Sequence, residues 1–358
     1  MKKYFLLLLI TLFTFCLISC GEDPDDTKDD DQIVTPEDKP DDKPTDDPII
    51  KPNDQPVDSK PTIDVTYDYE MYEIFEKLNP YTEDVEFFIY AGYYPQSEIK
   101  TPALLREISK IEERNERGYI EYDNHEIAKI TVVNNHKFGD DPLNDETFYV
   151  GTQYAVGTTH YFLVEPICWR ILNDPTDEEL FLVTEDIIDS RNFHEISATY
   201  RNEDGVLIRP SDYEHSVIRD WLNNEFFYHA FTEYEQSLIQ ESYNLNDPIY
   251  IFNENNKLKA TYDKVFLLSN KEVTSFHYGF YNYESRMAKA SDYSRAKGLV
   301  SVPNDYSSSS NWWTRTGFEY TPLFPGMVKY DGTHDKNYYP QGENIGIRPA
   351  IKIILNQE

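Results

Sequence analysis

The sequence predicts an α+β protein, a single mixed head domain carried on a disordered tether. Three observations predict it. Runs rich in β-branched and aromatic residues, such as Tyr161 to Leu172, Leu180 to Ile188 and Gly346 to Ile354, read as strands. Ser or Thr followed three residues later by Glu recurs at Ser211, Thr232 and Ser269, each time before helical spacing, which is the signature of a capped helix start. The composition changes abruptly near residue 66, from Asp, Pro, Lys and Thr to a chain with apolar periodicity. The predicted organisation is a signal peptide over 1–19, an acidic Pro/Asp-rich tether over 20–66 and a globular head over 67–358.

Lys2 and Lys3 precede an apolar run from Tyr4 to Ile18, interrupted only by Thr11 and Thr14. The run is shorter than the roughly 20 residues a spanning helix needs, so it reads as a cleaved export signal. Its end, Leu17-Ile18-Ser19-Cys20 followed by Gly21, resembles the lipobox of bacterial lipoproteins at all four positions. That resemblance implies cleavage before Cys20, a diacylglycerol on its thiol and residence on the outer face of the cell membrane. A second acyl chain such as palmitate makes attachment stable, at about 0.8 kcal/mol per buried methylene.

Glu22 to about Thr66 holds few apolar residues, among them Ile33, Val34, Ile49 and Ile50, and cannot bury enough surface to offset its ordering entropy. Proline and like charge favour extended conformers of about 3.1 Å per residue. The chain of 358 residues carries a formal net charge of -32, so no basic surplus exists to displace counterions and nucleic acid is not an expected partner. Of the three cysteines, Cys16 leaves with the leader and Cys20 takes lipid, so Cys168 has no disulfide partner in the mature chain. Stability must come from burial, which 15% aromatic content supports.

Within the head, Tyr69 to Leu78 predicts a short helix stopped at Asn79-Pro80, and Val85 to Tyr90 a strand leading into Tyr94-Pro95-Gln96-Ser97. Thr101 and Pro102 start the clearest helix, with Leu104, Leu105, Ile108 and Ile111 on one face before Gly118. Short strands are expected at Ile127 to Val133 and Thr147 to Val150. Between them Asp140, Asp141, Asn144, Asp145 and Glu146 bunch oxygens without the spacing of a calcium loop. Asp174-Pro175-Thr176-Asp177 suits a hairpin turn. Cys168 has no visible thiolate partner and reads as a small buried hydrophobe. Further on, Lys264 to Leu268, Trp312 to Arg315 and Met327 to Tyr330 read as strands, with Asp331-Gly332 a turn.

Six short motifs recur in order: Tyr94-Pro95-Gln96-Ser97, Cys168-Trp169-Arg170, Trp221-Leu222-Asn223, Phe266-Leu267-Leu268-Ser269, Trp312-Trp313-x-Arg315 and Gly346-Ile347-Arg348-Pro349-Ala350. Together they resemble a family of uncharacterised domains in surface proteins of low-GC Gram-positive bacteria, over about residues 85 to 354. The Leu-Leu-Ser-x-x-Glu motif and the closing Gly-Ile-Arg are also distantly similar to the C-type-lectin-like fold of formylglycine-generating enzymes. The chain lacks the paired active-site cysteines of those enzymes, which argues against oxidase chemistry.

Three functions are weighed. The architecture of lipid, tether and aromatic-rich head favours a non-catalytic binding module for a glycan, peptide or envelope ligand. Trp313 with Arg315, and with them Trp312 and Arg348, are the candidate ligand contacts, against a reading in which all four tryptophans are core and Arg315 or Arg348 holds a buried carboxylate. A secreted hydrolase is the alternative, but the eight histidines are scattered, with no His-Glu-x-x-His and no Gly-x-Ser-x-Gly. Docking onto another envelope protein is the third. No metal or other cofactor is expected from the motifs.

Overall fold

Backbone pairing across distant segments settles most of the architecture of the computed structural model. It describes residues 60–355 apart from 69, 80–81, 134–153, 247–258, 301–308, 318–323, 335, 338–339 and 343. The leader, Cys20, most of the tether, the acidic residues 140–146 and the strand expected over Thr147 to Val150 lie outside the described residues. The described part belongs to one compact unit, Asp58–Glu358. It is mixed α+β, with mostly strands and few, short helices. No helix among the described residues is long and apolar enough to cross a membrane.

Strand β1 (Ile74–Leu78) pairs antiparallel with β2 (Val85–Glu98), Ile74 opposite Ile89 and Leu78 opposite Val85. The helix predicted over Tyr69 to Leu78 is thus replaced by a strand. Pairing satisfies the backbone and buries Phe75 stacked on Phe88 at 5.9 Å, a tertiary gain that spacing alone does not reveal. Helix α1 (Pro102–Ile108) starts at Thr101-Pro102 as expected, buries Leu104 and Ile108 and stops well before Gly118. β3 (Ile120–Tyr122) and β4 (His125–Thr131) form a hairpin through Asp123 and Asn124, at φ 51° and 61°. Two successive left-handed residues match the twist of the flanking strands.

β5 (Thr159–Ile171) and β6 (Glu179–Thr184) lie on either side of the predicted turn, closed by the Asp177 N–H donating to Asp174 O at 3.0 Å. After β7 (Asp189–Ser190) come the small hairpin β8 (Tyr200–Arg201) and β9 (Leu207–Ile208) and helix α2 (Val217–Trp221). A wide π turn (Leu222–Phe226) joins α2 to α3 (Phe227–Ala230). Of the apolar face that spacing predicts over Val217, Ile218, Trp221 and Leu222, the last three are buried and Val217 is half-buried, and Phe226 is buried beyond them. Then follow α4 (Glu233–Leu238), β10 (Ser242–Asn244), β11 (Thr261–Asp263), β12 (Phe266–Leu267) and α5 (Asp292–Ala296). The last strands are β13 (Trp312–Gly317), β14 (Pro325–Val328), β15 (Lys336–Asn337), β16 (Gly346–Ile347) and β17 (Pro349–Ile354).

The three predicted capping boxes fare differently. Thr232 and Glu235 make both reciprocal bonds and start α4. Ser269 and Glu272 make them too, the Ser269 N–H donating to Glu272 Oε2 at 2.6 Å and the Glu272 N–H to Ser269 Oγ at 3.2 Å, but turns follow instead of the predicted helix. At Ser211 the cap moves five residues on, and Ser216 Oγ accepts the Arg219 N–H of α2 at 3.3 Å.

Two sheets carry the fold. The larger runs β1-β2-β5-β6-β17-β12, with the β3–β4 hairpin added alongside β5; the smaller runs β15-β14-β13-β16-β7. The closing run predicted as one strand therefore changes sheet at Arg348, between β16 and β17. The main core contains Trp169, Trp312, Trp313, Phe226, Phe266 and Phe280.

Candidate functional site

The structure places all four sequence-predicted ligand contacts in the interior. Trp312 and Trp313 are 0% exposed, Arg315 3% and Arg348 1%. Trp313 packs edge-on against Phe193 at 5.7 Å and donates its indole N–H to Arg191 O at 2.9 Å. Arg315 forms a bidentate pair with Glu272, Nη1 to Oε2 at 2.6 Å and Nη2 to Oε1 at 2.8 Å. This joins the Leu-Leu-Ser-x-x-Glu turn to the tryptophan strand. Burial acts to raise the Glu272 carboxyl, but the Arg315 charge and the bonds from Ser269 prevail and hold it below the usual glutamate range. Arg348 lies over the Trp312 ring at 5.0 Å and donates from Nε to Thr184 O at 2.8 Å. Burial pushes its guanidinium down to about 10, against the pull of Glu185. No face of Trp313 or Arg315 is turned to solvent, so a ligand has nothing to stack on there; packing and charge pairing account for these positions. Cys168, expected to be buried, is half-buried; burial still pushes its thiol up to about 12, which keeps it protonated at neutral pH.

A different arginine braces a surface groove. Arg170, at the end of β5, donates from Nη1 to Glu86 Oε1 at 2.9 Å and to Ser285 O at 3.2 Å, and from Nη2 to Tyr278 O at 3.4 Å. One planar fork thereby ties together the start of β2, the end of β5 and the turn around Tyr278. Its plane also covers Phe280 at 4.5 Å. These three segments line a groove of about 400 Å³. Tyr278, Tyr281, Phe87 and Arg170 are among its lining, and Asp84, Glu86 and Asp174 supply carboxylates. Beside it the rings of Tyr281 and Phe276, 52% and 69% exposed, lie 6.0 Å apart. Gly279 holds the turn at φ 74°, a conformation other residues adopt only with strain. Burial raises the Glu86 carboxyl despite its pairing with Arg170.

A second feature lies on the turn before α2. Among the described residues, one set of three metal-ligating side chains converges: Asp212, Glu214 and His215, with ligand atoms all within 4.8 Å of one another. Next to them is His194, which burial and then His215 hold below the usual histidine range. The adjacency of Asp212, Glu214 and His215 is visible in the sequence as Asp-x-Glu-His. It escapes a search for longer zinc motifs because the spacing is too tight for one helix face.

Comparison with protein families matches a family described as a domain of unknown function (DUF6273) to residues 177–355, half of the chain. The matched region contains α2, the Leu-Leu-Ser-x-x-Glu turn, the tryptophan strand and the closing Gly-Ile-Arg. No curated protein and no solved structure matches the chain.

Proposed function

We propose that this chain, which belongs to the DUF6273 family, is a non-catalytic binding module whose Arg170-braced groove takes a glycan. The observation that carries the reading is the pairing of the exposed Tyr281 ring and the half-buried Tyr278 ring with acceptor groups in one preformed groove. Sugar rings offer C–H faces to Tyr278 and Tyr281 and hydroxyl donors to Asp84, Glu86 and Asp174. Three carboxylates in the lining disfavour an anionic ligand. Glu86, the most enclosed of them, is tied to Arg170 at 2.9 Å, which suits a structural acceptor better than an acid catalyst.

The same proposal sets the module outside the cell, with the leader removed, Cys20 acylated and residues 20–66 spacing the head from the membrane. Its fold is proposed as C-type-lectin-like. The support is the closing Gly346-Ile347-Arg348 and its passage from the smaller sheet to the larger.

Two measurements test the reading. An immobilised-glycan screen with the purified full chain should give binders that Tyr281→Ala weakens at least tenfold, without loss of thermal stability because Tyr281 is half exposed. Uniformly blank arrays overturn the glycan assignment. Mass spectrometry of the mature protein should find diacylglycerol on Cys20, and a free, unacylated amino end in the medium overturns the anchor.

A further inference from the structure

We propose that Asp212, Glu214 and His215 form a binding site for a divalent transition-metal ion of the zinc class, independent of the glycan groove. His215 Nδ1 stands 3.3 Å from Asp212 Oδ2 and 3.6 Å from Glu214 Oε2. This nitrogen is buried and stands at ion-pairing distance from both carboxylates, nearer to Asp212. One imidazole and two carboxylates thus converge, their ligand atoms all within 4.8 Å of one another. Around a tetrahedral zinc with bonds of about 2.0–2.1 Å, neighbouring donors lie about 3.3 Å apart. The His215–Asp212 separation has that length already, and the Glu214 carboxylate, 3.6 Å from His215, closes in on binding. One imidazole with two carboxylates suits zinc and its neighbours in the first transition row, and not calcium, which takes oxygen alone.

The local fold holds these donors in place. Tyr213, 0% exposed, points inward against Phe193 at 6.2 Å, and its hydroxyl accepts the Leu267 N–H at 3.3 Å. The flanking Asp212 and Glu214 are thereby set around an anchored residue. Ser216 N–H donates to Tyr213 O at 3.2 Å and closes the turn. Asp212 is 5% exposed, so its carboxylate is held out of water before any ion arrives. Glu214 is shared with Lys259, whose Nζ lies 3.2 Å away on a side chain 66% exposed and able to swing clear.

An independent observation points to a fourth group at the site. His194 is 6% exposed, and its buried Nε2 has no hydrogen-bond partner among the described residues. Its Nδ1 accepts the Glu195 N–H at 2.9 Å, so the ring proton of the neutral imidazole sits on Nε2. The backbone brings it beside the turn: the neighbouring Phe193 O accepts the Ile218 N–H at 3.3 Å. An orphaned Nε2–H next to His215 calls for an acceptor, and a water or anion completing the ion's coordination supplies one. Room exists for an exchangeable ligand in an adjoining groove of about 500 Å³ lined by Glu214, His215, Arg219 and Asn223, none of which lines the glycan groove.

Titration of the purified full chain with zinc, in an excess of calcium to occupy the acidic tether, should show one zinc per chain. Asp212→Asn and His215→Ala should each weaken it at least tenfold, while His229→Ala, an exposed imidazole elsewhere, should leave it unchanged. No zinc under these conditions, or one equivalent that survives both substitutions, overturns the site. Should either variant fail to fold, X-ray absorption on the zinc-loaded parent decides. One imidazole in a shell otherwise of oxygen supports the assignment, and a sulfur shell or oxygen alone overturns it.

Discussion

Two buried arginines from neighbouring motifs are held in opposite ways. Arg315 meets Glu272 with two hydrogen bonds and adds a third to Leu267 O at 2.6 Å. Arg348 has an aromatic face and one carbonyl, and its Nη1 finds no hydrogen-bond partner among the described residues. The carboxylates around it, Glu185, Asp186 and Glu86, act through the field and not through contact. The region around Arg315 is thus a closed ion pair, and the region around Arg348 a loose set of charges in which burial outweighs attraction. A short sequence motif shows that an arginine is there and does not show which of these it joins.

Removing half of the closed pair should produce the largest effect. Arg315→Met strands the Glu272 carboxylate in the interior, and breaking such a pair costs about 3–5 kcal/mol. Denaturant unfolding of the variant should show that loss, and the double variant Arg315→Met/Glu272→Leu should recover most of it. A double variant as unstable as the single one would mean that packing around β13, and not charge, dominates. The Glu272 pKa is depressed, so its contribution is present above the unfolded carboxyl value and is lost as pH falls through the folded one. The share of acid sensitivity that comes from Glu272 should therefore vanish in the double variant.

Arg348→Met should cost less, about 1–2 kcal/mol. It gives up the bond to Thr184 O but also relieves a desolvated cation, and the flexible thioether still fills space against Trp312. The comparison breaks if equilibrium unfolding finds the two single variants equally unstable.

The same contrast separates what was legible in the sequence from what was not. Strands β5, β6, β13 and β17 were visible because their residue types suit extended, buried backbone wherever they pair. The start of α1 was visible because Thr101-Pro102 is a local signal. The Ser269 box misled because its bonds form while Glu272 also serves Arg315, 43 residues away, and the chain turns instead of continuing as a helix. Ile74, Phe75 and Leu78 fit a helix face and a strand alike, and only β2 decides between them. Neither proposed site was read beforehand. The groove is assembled from segments near residues 85, 172 and 279, brought together by Arg170, whereas the Asp212-x-Glu214-His215 cluster is local but too short to match a known spacing.

The smallest predicted effect is also the one with the most particular pH signature. Burial, and then Glu185, push the Asp186 carboxyl up to about 6, against the pull of Lys289 and Arg348. A carboxyl whose folded pKa exceeds its unfolded value near 4 binds protons more tightly in the folded state. Its favourable contribution is therefore complete below about pH 4 and is lost as pH rises from about 4 to 6. Asp186→Asn removes the cost of holding that charge at neutral pH. It should raise stability by on the order of 1 kcal/mol at pH 7, with no gain below pH 4, once solvent screening is allowed for. Melting temperatures of parent and variant across this range should converge at the acid end. Were the variant instead less stable than the parent at pH 7, Asp186 would be bonded to a neighbouring cation, and the region around Arg348 would be a closed pair like the one around Arg315.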